Sequence, residues 1–172
     1  MNFEEVLMNR SSIRAFKSEQ IEDSQIHHII EQTVSAPSAG NLQAYKIHII
    51  RCKQVLKELS DASTGADFIY KSAIAFVFIA LPEESAKEYG KRGKELYALQ
   101  DATIAASYCQ LAITNQNLSS VWVGAFNTEA VSNILKLSKN EIPIAIIPAG
   151  KANEIAYPTS RKSIEKTIKW VE

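Results

Sequence analysis

The sequence has few cysteines, few histidines and only six glycines among its 172 residues. The two cysteines, Cys52 and Cys109, form no CxxC pair, so we expect neither a disulfide framework nor a zinc site. Each is predicted to be a small buried hydrophobic residue. The three histidines, His27, His28 and His48, lack neighbouring metal ligands, which argues against a metal centre.

An excess of either charge is also absent. Lysine plus arginine and aspartate plus glutamate both number 19, so no global field would attract nucleic acid or anionic lipid. Any bound anion must be held by a local cluster. Residues 1–5 lack a basic region followed by an apolar run, and apolar stretches elsewhere are too short for a bilayer span. We therefore expect a soluble cytoplasmic protein without nucleic-acid or membrane partners.

Several sequence motifs of well-known enzyme classes are missing as well. There is no GxGxxG or GxxxxGK[ST] loop, no GxSxG and no evident Cys–His pair, which argues against nucleotide-binding doubly wound folds and against hydrolases. Strands and helices alternate without strict βαβ regularity, which favours an α+β fold. The length suits one domain, and we take residues 1–172 as that domain.

Hydrophobic periodicity predicts most of the regular elements. Short helices near residues 6–7 and over 21–34 flank a polar loop at 9–20. A later helix begins with Thr128 as its N-cap and runs to about 137. Strands are predicted at 46–50, 73–81, 121–123 and 142–148, and the tail from residue 163 is ambiguous.

Residues 96–118 predict a long central helix that is apolar around most of its circumference. Leu99, Ile104, Tyr108 and Leu111 place apolar groups in successive turns. One small subunit has too little other surface to cover such a helix. A symmetric dimer would supply the missing cover, so the helix predicts a homodimer.

Two arginines lie four residues apart around two serines in the loop after the first predicted helix. Arg10 and Arg14 offer forked N–H donors that match phosphate oxygens, and Ser11 and Ser12 add hydroxyl groups. The segment is a candidate phosphate site, although paired charges are more often simply exposed. Arg161 supplies a third cation near the C-terminus, where a solvated basic patch is the simpler explanation.

A rigid polar turn follows the second predicted helix. It contains Pro37, Ser38, Ala39, Asn41 and Gln43, and its amide and hydroxyl groups are of the kind that orient the edge of a flat heterocycle. An ordinary loop at the end of a helix explains the same composition equally well.

The predicted strand at 121–123 ends at a glycine. Trp122 and Val123 lead to Gly124 and Ala125, where backbone N–H groups can approach a ligand without an intervening side chain. A plain strand-to-helix turn is the alternative. Asp101 and Glu95, on the long helix, are a conceivable acid–base pair, but a polar position there is more often solvated or a helix-packing contact.

These motifs, in their order and spacing, resemble the nitroreductase family of flavoenzymes. The segments that carry the resemblance are residues 10–16 (RSSIRAF), 36–43 (APSAGNLQ) and 121–126 (VWVGAF). Further matches are residues 89–93, 96–97 and 100–102, the strand 143–147 closing at Gly150, and Arg161. The resemblance implies a central, mostly antiparallel sheet flanked by helices in an intertwined homodimer.

The resemblance also implies FMN as cofactor and NADH or NADPH as electron donor. Arg10, Ser11, Ser12 and Arg14 would line the phosphate and ribityl chain, with Arg14 also near the pyrimidine edge and Arg161 at the phosphate. The turn residues Pro37, Ser38, Ala39, Asn41 and Gln43 would reach the flavin of the opposite subunit. Trp122 and Val123 would lead to the N–H donors of Gly124 and Ala125, facing flavin N5 and O4. Electron-poor acceptors, such as nitroaromatics or quinones, would then be reduced by ping-pong hydride transfer.

Two departures from the family pattern leave parts of the pocket open. Ala44 and Tyr45 stand where the family often has Pro and Trp, and Asn117 replaces the usual glycine before the strand at 121–123. Only residues 82–94 are available as a cover over the site, so the acceptor is not identified. Reductive dehalogenation, flavin processing and a non-catalytic flavin-binding dimer are the alternatives, and the complete arginine set argues against the last.

Overall fold

The computed structural model describes residues 1–157 and 159–172. The α-helices are α1 (Phe3–Asn9), α2 (Asp23–Val34), α3 (Lys53–Asp61), α4 (Phe68–Lys71), α5 (Pro82–Arg92), α6 (Ala98–Asn115) and α7 (Thr128–Ile134). The strands are β1 (Tyr45–Ile50), β2 (Ile74–Ala80), β3 (Ser119–Ser120) and β4 (Ile142–Gly150). Over the residues so described, no helix has the length and apolar character needed to cross a membrane.

The four strands form one sheet in the order β1-β2-β4-β3, and all neighbouring strands are antiparallel. Helices cover both faces of β2, which is buried along its whole length. Its alternate side chains divide between two cores, because successive residues of a strand face opposite sides of the sheet. Phe76 and Phe78 pack with α2 and α6, whereas Val77 packs with α3, α4 and α7. The predicted α+β class with a mostly antiparallel sheet is confirmed.

The long helix is shorter than the 96–118 predicted from its apolar pattern. Residues Gly93–Tyr97 form a wider π-helical turn before α6 begins. At the other end, Asn117 takes φ 57°, and the N–H of Leu118 donates to the carbonyl of Ile113 (3.1 Å). A left-handed residue followed by this bond is a common way for a helix to end. Asparagine tolerates the left-handed conformation, so Asn117 can end the helix at the position where the family usually has glycine.

Two local predictions around the last strands are wrong. The regular strand lies at Ser119–Ser120 rather than at 121–123, where only Val123 bridges to Ile146. The N-cap of α7 is Asn127, whose side chain accepts from the N–H of Ala130 (2.9 Å), and Thr128 is the first helical residue. Both shortfalls concern one or two residues at the ends of elements, where local pattern is least informative.

The sequence pattern missed α3 and α4. α3 is amphipathic, and Leu56 and Leu59, spaced three residues apart, are buried against the sheet. α4 has four residues, of which Phe68 and Ile69 are buried. One turn is too short for a helical period to be visible, so only packing on the sheet identifies α4.

The two cysteines lie in different environments. Cys109 is buried in α6, and burial raises the pKa of its thiol to about 12, with the hydrogen bond to Thr33 acting against this shift. Cys52 is exposed at the start of α3, so its predicted burial is wrong. It lies two residues after the end of β1, the edge strand of the sheet, and immediately before α3.

Glu141 joins the start of β4 to the edge strand β1. Its carboxylate accepts hydrogen bonds from Lys46 Nζ and from the N–H of Ser138 (2.8 Å). The Lys46 contact, followed by the Ser138 N–H, lowers the pKa of Glu141 to about 2. Folding lowers the pKa of Glu141, so the ionised carboxylate stabilises the folded chain. This stabilisation is complete above pH 4.5, the ordinary pKa, and is lost as the pH falls towards about 2.

We expect Glu141→Gln to lower the free energy of unfolding by about 1 kcal/mol at neutral pH, a modest figure because Lys46 is half exposed. Urea unfolding at several pH values should show this difference shrinking between about pH 5 and pH 2. Asp61→Asn is the matched control, since Asp61 pairs with Lys57 on an exposed helix face. A difference for Glu141→Gln that is constant over the whole pH range would contradict the assignment.

Candidate functional site

The loop after α1 is fixed between β3 and the chain that follows β4. Ser12 pairs with Ser120 in parallel orientation, and the N–H of Ile13 donates to the carbonyl of Ser120 (3.1 Å). Four residues later Phe16 pairs with Ala152. Residues 10–16 are therefore an ordered extension of the sheet edge rather than a free surface loop.

Glu154 holds the same loop from its other side. Its carboxylate accepts from the backbone N–H groups of Arg14 and Ala15. Arg10 is half buried and Arg14 is exposed, and neither guanidinium forms a hydrogen bond or ion pair with any residue in 1–157 or 159–172. Both cations are thus held on a fixed backbone and are free to bind an anion. Sequence reasoning missed Glu154, because nothing near it in the sequence marks its role.

A second group of donors follows β3. Val123 exchanges both of its backbone hydrogen bonds with Ile146 (2.9 and 3.0 Å), and the carbonyl of Ala125 accepts from the N–H of Thr64 (2.9 Å). The intervening peptide is anchored on both sides, yet the N–H groups of Gly124 and Ala125 donate to no described residue. Val123 is buried, and its N–H and carbonyl groups are both hydrogen-bonded to Ile146. It therefore positions the neighbouring donors and has no free backbone group of its own for a ligand.

These two groups belong to one region of the surface. Gly124 follows Ser120 by four residues, so its Cα lies within about 14 Å of the strand that pairs with Ser12. The loop that carries both arginines and the segment that carries the free amide donors therefore adjoin the same edge of the sheet. Such an edge can bind a phosphate and also orient a flat group that carries hydrogen-bond acceptors. A side chain at Gly124 would lie 3.3 Å from Trp122 Nε1, so the space beside this peptide is narrow.

The polar turn at 37–43 is rigid and carries its own hydrogen bonds. The N–H of Gln43 donates to Ser38 Oγ (3.0 Å), and Gln43 Nε2 donates to Asn41 Oδ1 (3.2 Å). A 3-10 helix covers Ala39–Asn41, and Gly40, Asn41 and Gln43 have φ angles of 55°, 57° and 50°. The side chains of Asn41 and Gln43 are exposed. Their polar groups are therefore displayed in a fixed arrangement.

The predicted cover at 82–94 is mostly helix and contacts this turn. A Cβ added to Gly40 would come within 2.4 Å of the hydroxyl of Tyr89 in α5. The Tyr89 ring packs edge-on against Tyr97 (centroids 5.2 Å apart), and Arg92 Nε donates to the Tyr97 hydroxyl (3.0 Å). α5 and the polar turn thus form one packed unit.

The turn lies far from the two arginines within a single chain. The N–H of Ala39 contacts Asp101 near the start of α6, whereas β3 and Ser12 lie beyond the end of α6 at Asn115. Fourteen helical residues separate Asp101 from Asn115, a length of about 21 Å. The structure therefore joins residues 12–13 to Ser120, four residues before Gly124, and leaves the 37–43 turn at the opposite end of the helix.

The remaining candidate residues have their own local contacts. Arg161 is exposed in the C-terminal tail and donates to Thr159 Oγ1 (2.7 Å). Glu95 is exposed and lies 3.8 Å from Lys91, while Asp101 is buried and bonded to Ala39, so the Glu95–Asp101 acid–base pair is not formed. Over residues 1–157 and 159–172, no three metal-ligating side chains cluster as a metal site.

Comparison with known proteins decides the family. The sequence pattern of the nitroreductase family matches residues 7–71 and 61–151, which together span most of the chain. The chain belongs to the nitroreductase family. Its architecture agrees with a nitroreductase family protein from Streptococcus pneumoniae TIGR4 (TM-score 0.90, 19% identity), over 99% of this chain and 100% of that one.

Two relatives carry names that describe an activity. The chain is 28% identical over 161 residues to a protein of Archaeoglobus fulgidus whose name is NADH dehydrogenase/NAD(P)H nitroreductase. The alignment covers 91% of this chain and 86% of that protein. It is 27% identical over 157 residues to the FMN reductase [NAD(P)H] of Bacillus subtilis, covering 84% of this chain and 63% of that protein.

Proposed function

We propose that this protein is an FMN-dependent oxidoreductase that takes electrons from NADH or NADPH and reduces a small, electron-poor acceptor such as a nitroaromatic or quinone. The observation that carries the proposal is the pairing of two unengaged guanidinium groups, on Arg10 and Arg14, with two unengaged amide donors, at Gly124 and Ala125. Family membership and the names of the Archaeoglobus and Bacillus relatives support it.

The donor set suits FMN group by group. Arg10, Ser11 and Ser12 would hold the phosphate and ribityl chain, with Arg161 as a third cation against the dianion. The amides of Gly124 and Ala125 match acceptors on the edge of the flavin ring. When bound, FMN supplies the two-electron redox chemistry between NAD(P)H and the acceptor. Arg14 would stabilise negative charge at the pyrimidine edge, and its fixed backbone means that little reorganisation is needed.

The surface area of the isolated chain supports a homodimer. A monomeric globular protein of 19.1 kDa exposes about 8400 Å², whereas this chain exposes 10465 Å². The exposed residues include large apolar side chains, among them Phe3 (70% exposed) and Met8 (84%) on α1 and Trp170 (84%) in the tail. Apolar exposure on this scale is typical of a surface that a second subunit covers.

The position of α6 explains why a dimer would complete the site. Ile104, Tyr108 and Leu111 form a partly exposed stripe along one face of α6. If a two-fold axis perpendicular to α6 packs this stripe against that of a second copy, the two helices run antiparallel. The start of the partner's α6, with its 37–43 turn, then lies beside the end of this α6 and its Arg14. Each flavin would thus be held between two subunits.

The visible spectrum of the purified protein tests this function. We expect a flavin absorption band that bleaches when NADH or NADPH is added without oxygen and returns when a quinone or nitroaromatic is added. Steady-state rates should give parallel double-reciprocal lines, because donor and acceptor would use the same face in turn.

The other outcomes separate the alternatives. A flavin band that NAD(P)H does not bleach favours a non-catalytic flavin-binding dimer. A band that bleaches but is reoxidised only by halogenated aromatics favours reductive dehalogenation, and consumption of the flavin itself favours flavin processing. A colourless protein that binds no added FMN would overturn the proposal.

A further inference from the structure

Asp101 is a buried carboxylate with an unusual set of contacts. It lies in the first turn of α6 and is 2% exposed. Its Oδ1 accepts from the N–H of Ala39 (2.9 Å), while its Oδ2 is buried without a hydrogen-bond partner among the described residues. A carboxylate taken out of water with only one such contact is costly, and an apolar residue would stabilise the same helix packing better.

The hydrogen bond to Asp101 holds the polar turn at Ala39, next to its left-handed residues. Ala39 begins the 3-10 helix, and the next two residues, Gly40 and Asn41, are both left-handed. Glycine and asparagine tolerate left-handed backbone, whereas Gln43, with φ 50° in the same turn, keeps this conformation because its surroundings impose it. The Ser38 hydroxyl closes the turn from within, and Asp101 is the contact that ties the turn to the rigid helix below.

Asp101 also borders the surface on which the turn displays its polar groups. Pro37, Ser38 and Ala39 line a groove of about 520 Å³ together with residues of the first turns of α6, Asp101 among them. The buried hydroxyl of Tyr45, likewise without a hydrogen-bond partner in the described chain, is close enough for the Asp101 charge to raise its pKa, after burial as the larger cause. The carboxylate thus lies beneath the turn, not in a solvated position.

We propose that Asp101 is a positioning residue that sets the 37–43 turn for flavin binding by holding the N–H of Ala39. Asp101 touches no cofactor itself. It fixes the backbone that presents Ser38 and Asn41 to the flavin of the partner subunit, and the inference therefore rests on the function proposed above. The contact is preformed in the isolated chain, so the turn would meet the partner already ordered.

FMN affinity of the dimer tests this role. We expect Asp101→Ala to raise the Kd for FMN about tenfold, because the hydrogen bond to a charged acceptor is lost and the turn must be ordered on binding. Asp101→Asn keeps an acceptor for Ala39 and should stay within about threefold of wild type. Cys109→Ala is the matched control: it lies in the same helix, is equally buried and loses core packing, yet is far from the turn.

Amide hydrogen exchange at Ala39, measured by NMR on the FMN-free dimer, gives a readout independent of activity. Exchange should be faster in Asp101→Ala and unchanged in Cys109→Ala. If Asp101→Ala does not fold, Ala39→Pro removes the donor instead, at a first helical position that tolerates proline, and should weaken FMN binding similarly.

The outcomes are distinct. Wild-type affinity in Asp101→Ala or Ala39→Pro, with the wild type binding FMN, would overturn the positioning role alone. Equal losses in Asp101→Ala and Cys109→Ala would also overturn it, since general destabilisation then explains both. A wild-type dimer that binds no FMN would overturn this role together with the function on which it rests.

Discussion

Arg14→Ala and Arg161→Ala proteins are expected to lose most of their FMN during purification. In the proposed site each substitution would remove a charge-assisted contact to the cofactor, which contributes about 1.5–3 kcal/mol, or about ten- to a hundredfold in Kd. The ratio of flavin absorbance to protein after gel filtration measures the loss, and fluorescence titration with added FMN gives the Kd.

Arg51→Ala is the control for the loss of an arginine. Arg51 follows β1, at the edge of the sheet opposite β3, and pairs with Asp23 on the surface. It should keep the wild-type flavin content. Full occupancy in both Arg14→Ala and Arg161→Ala would remove the phosphate site from the proposal, whereas loss in Arg14→Ala alone would remove only the tail residue.

Mixed dimers are expected to recover one flavin site from two defective chains. One chain carries Arg14→Ala, and the other carries Ser38→Ala with Asn41→Gly. Glycine is chosen because Asn41 has φ 57°, so the side chain is removed without backbone strain. In the mixed dimer one pocket receives both lesions and the other receives neither, as a two-fold interface requires.

The two chains are given different affinity tags, so that tandem purification isolates the mixed dimer. We expect about one FMN per mixed dimer and little in either homodimer. Two differently tagged Arg14→Ala chains, purified in the same way, should stay flavin-free. Verified mixed dimers without FMN, or a monomer that keeps FMN, would rule out a shared site.

The sequence pattern was most reliable for elements with a long apolar period. The buried run at 73–81 and the helical spacing over 21–34 correspond to β2 and α2 within a few residues. In both segments the local pattern and the final environment agree, because burial of one face or of both faces leaves a visible period. α4 and the two-residue β3 are too short to carry a period, so their positions follow from neighbours distant in sequence.

The candidate site also contains some residues that the sequence indicated and others whose role only the structure shows. Residue types and spacing made Arg10, Arg14 and the 37–43 turn candidates, since forked donors and turn-forming residues are recognisable in sequence, and only the family resemblance assigned them to a flavin. Glu154 and Asp101, which hold those segments in place, were not assigned that role. Each acts on the backbone of a segment at least 62 residues away, and such contacts leave no local signature.

By itself, the sequence determined which groups are present: arginines that can bind an anion, a turn and a strand end whose amides can contact a flat ring, and a helix that is apolar around most of its circumference. Tertiary structure decided which of these groups meet. Strand pairing joins Ser12 to Ser120, which is four residues before Gly124, so the loop that carries Arg14 and the segment with the free amides adjoin the same edge of the sheet. The rigid length of α6, about 21 Å from Asp101 to Asn115, keeps the 37–43 turn at the other end of this helix, which is why we propose that a second copy completes the site.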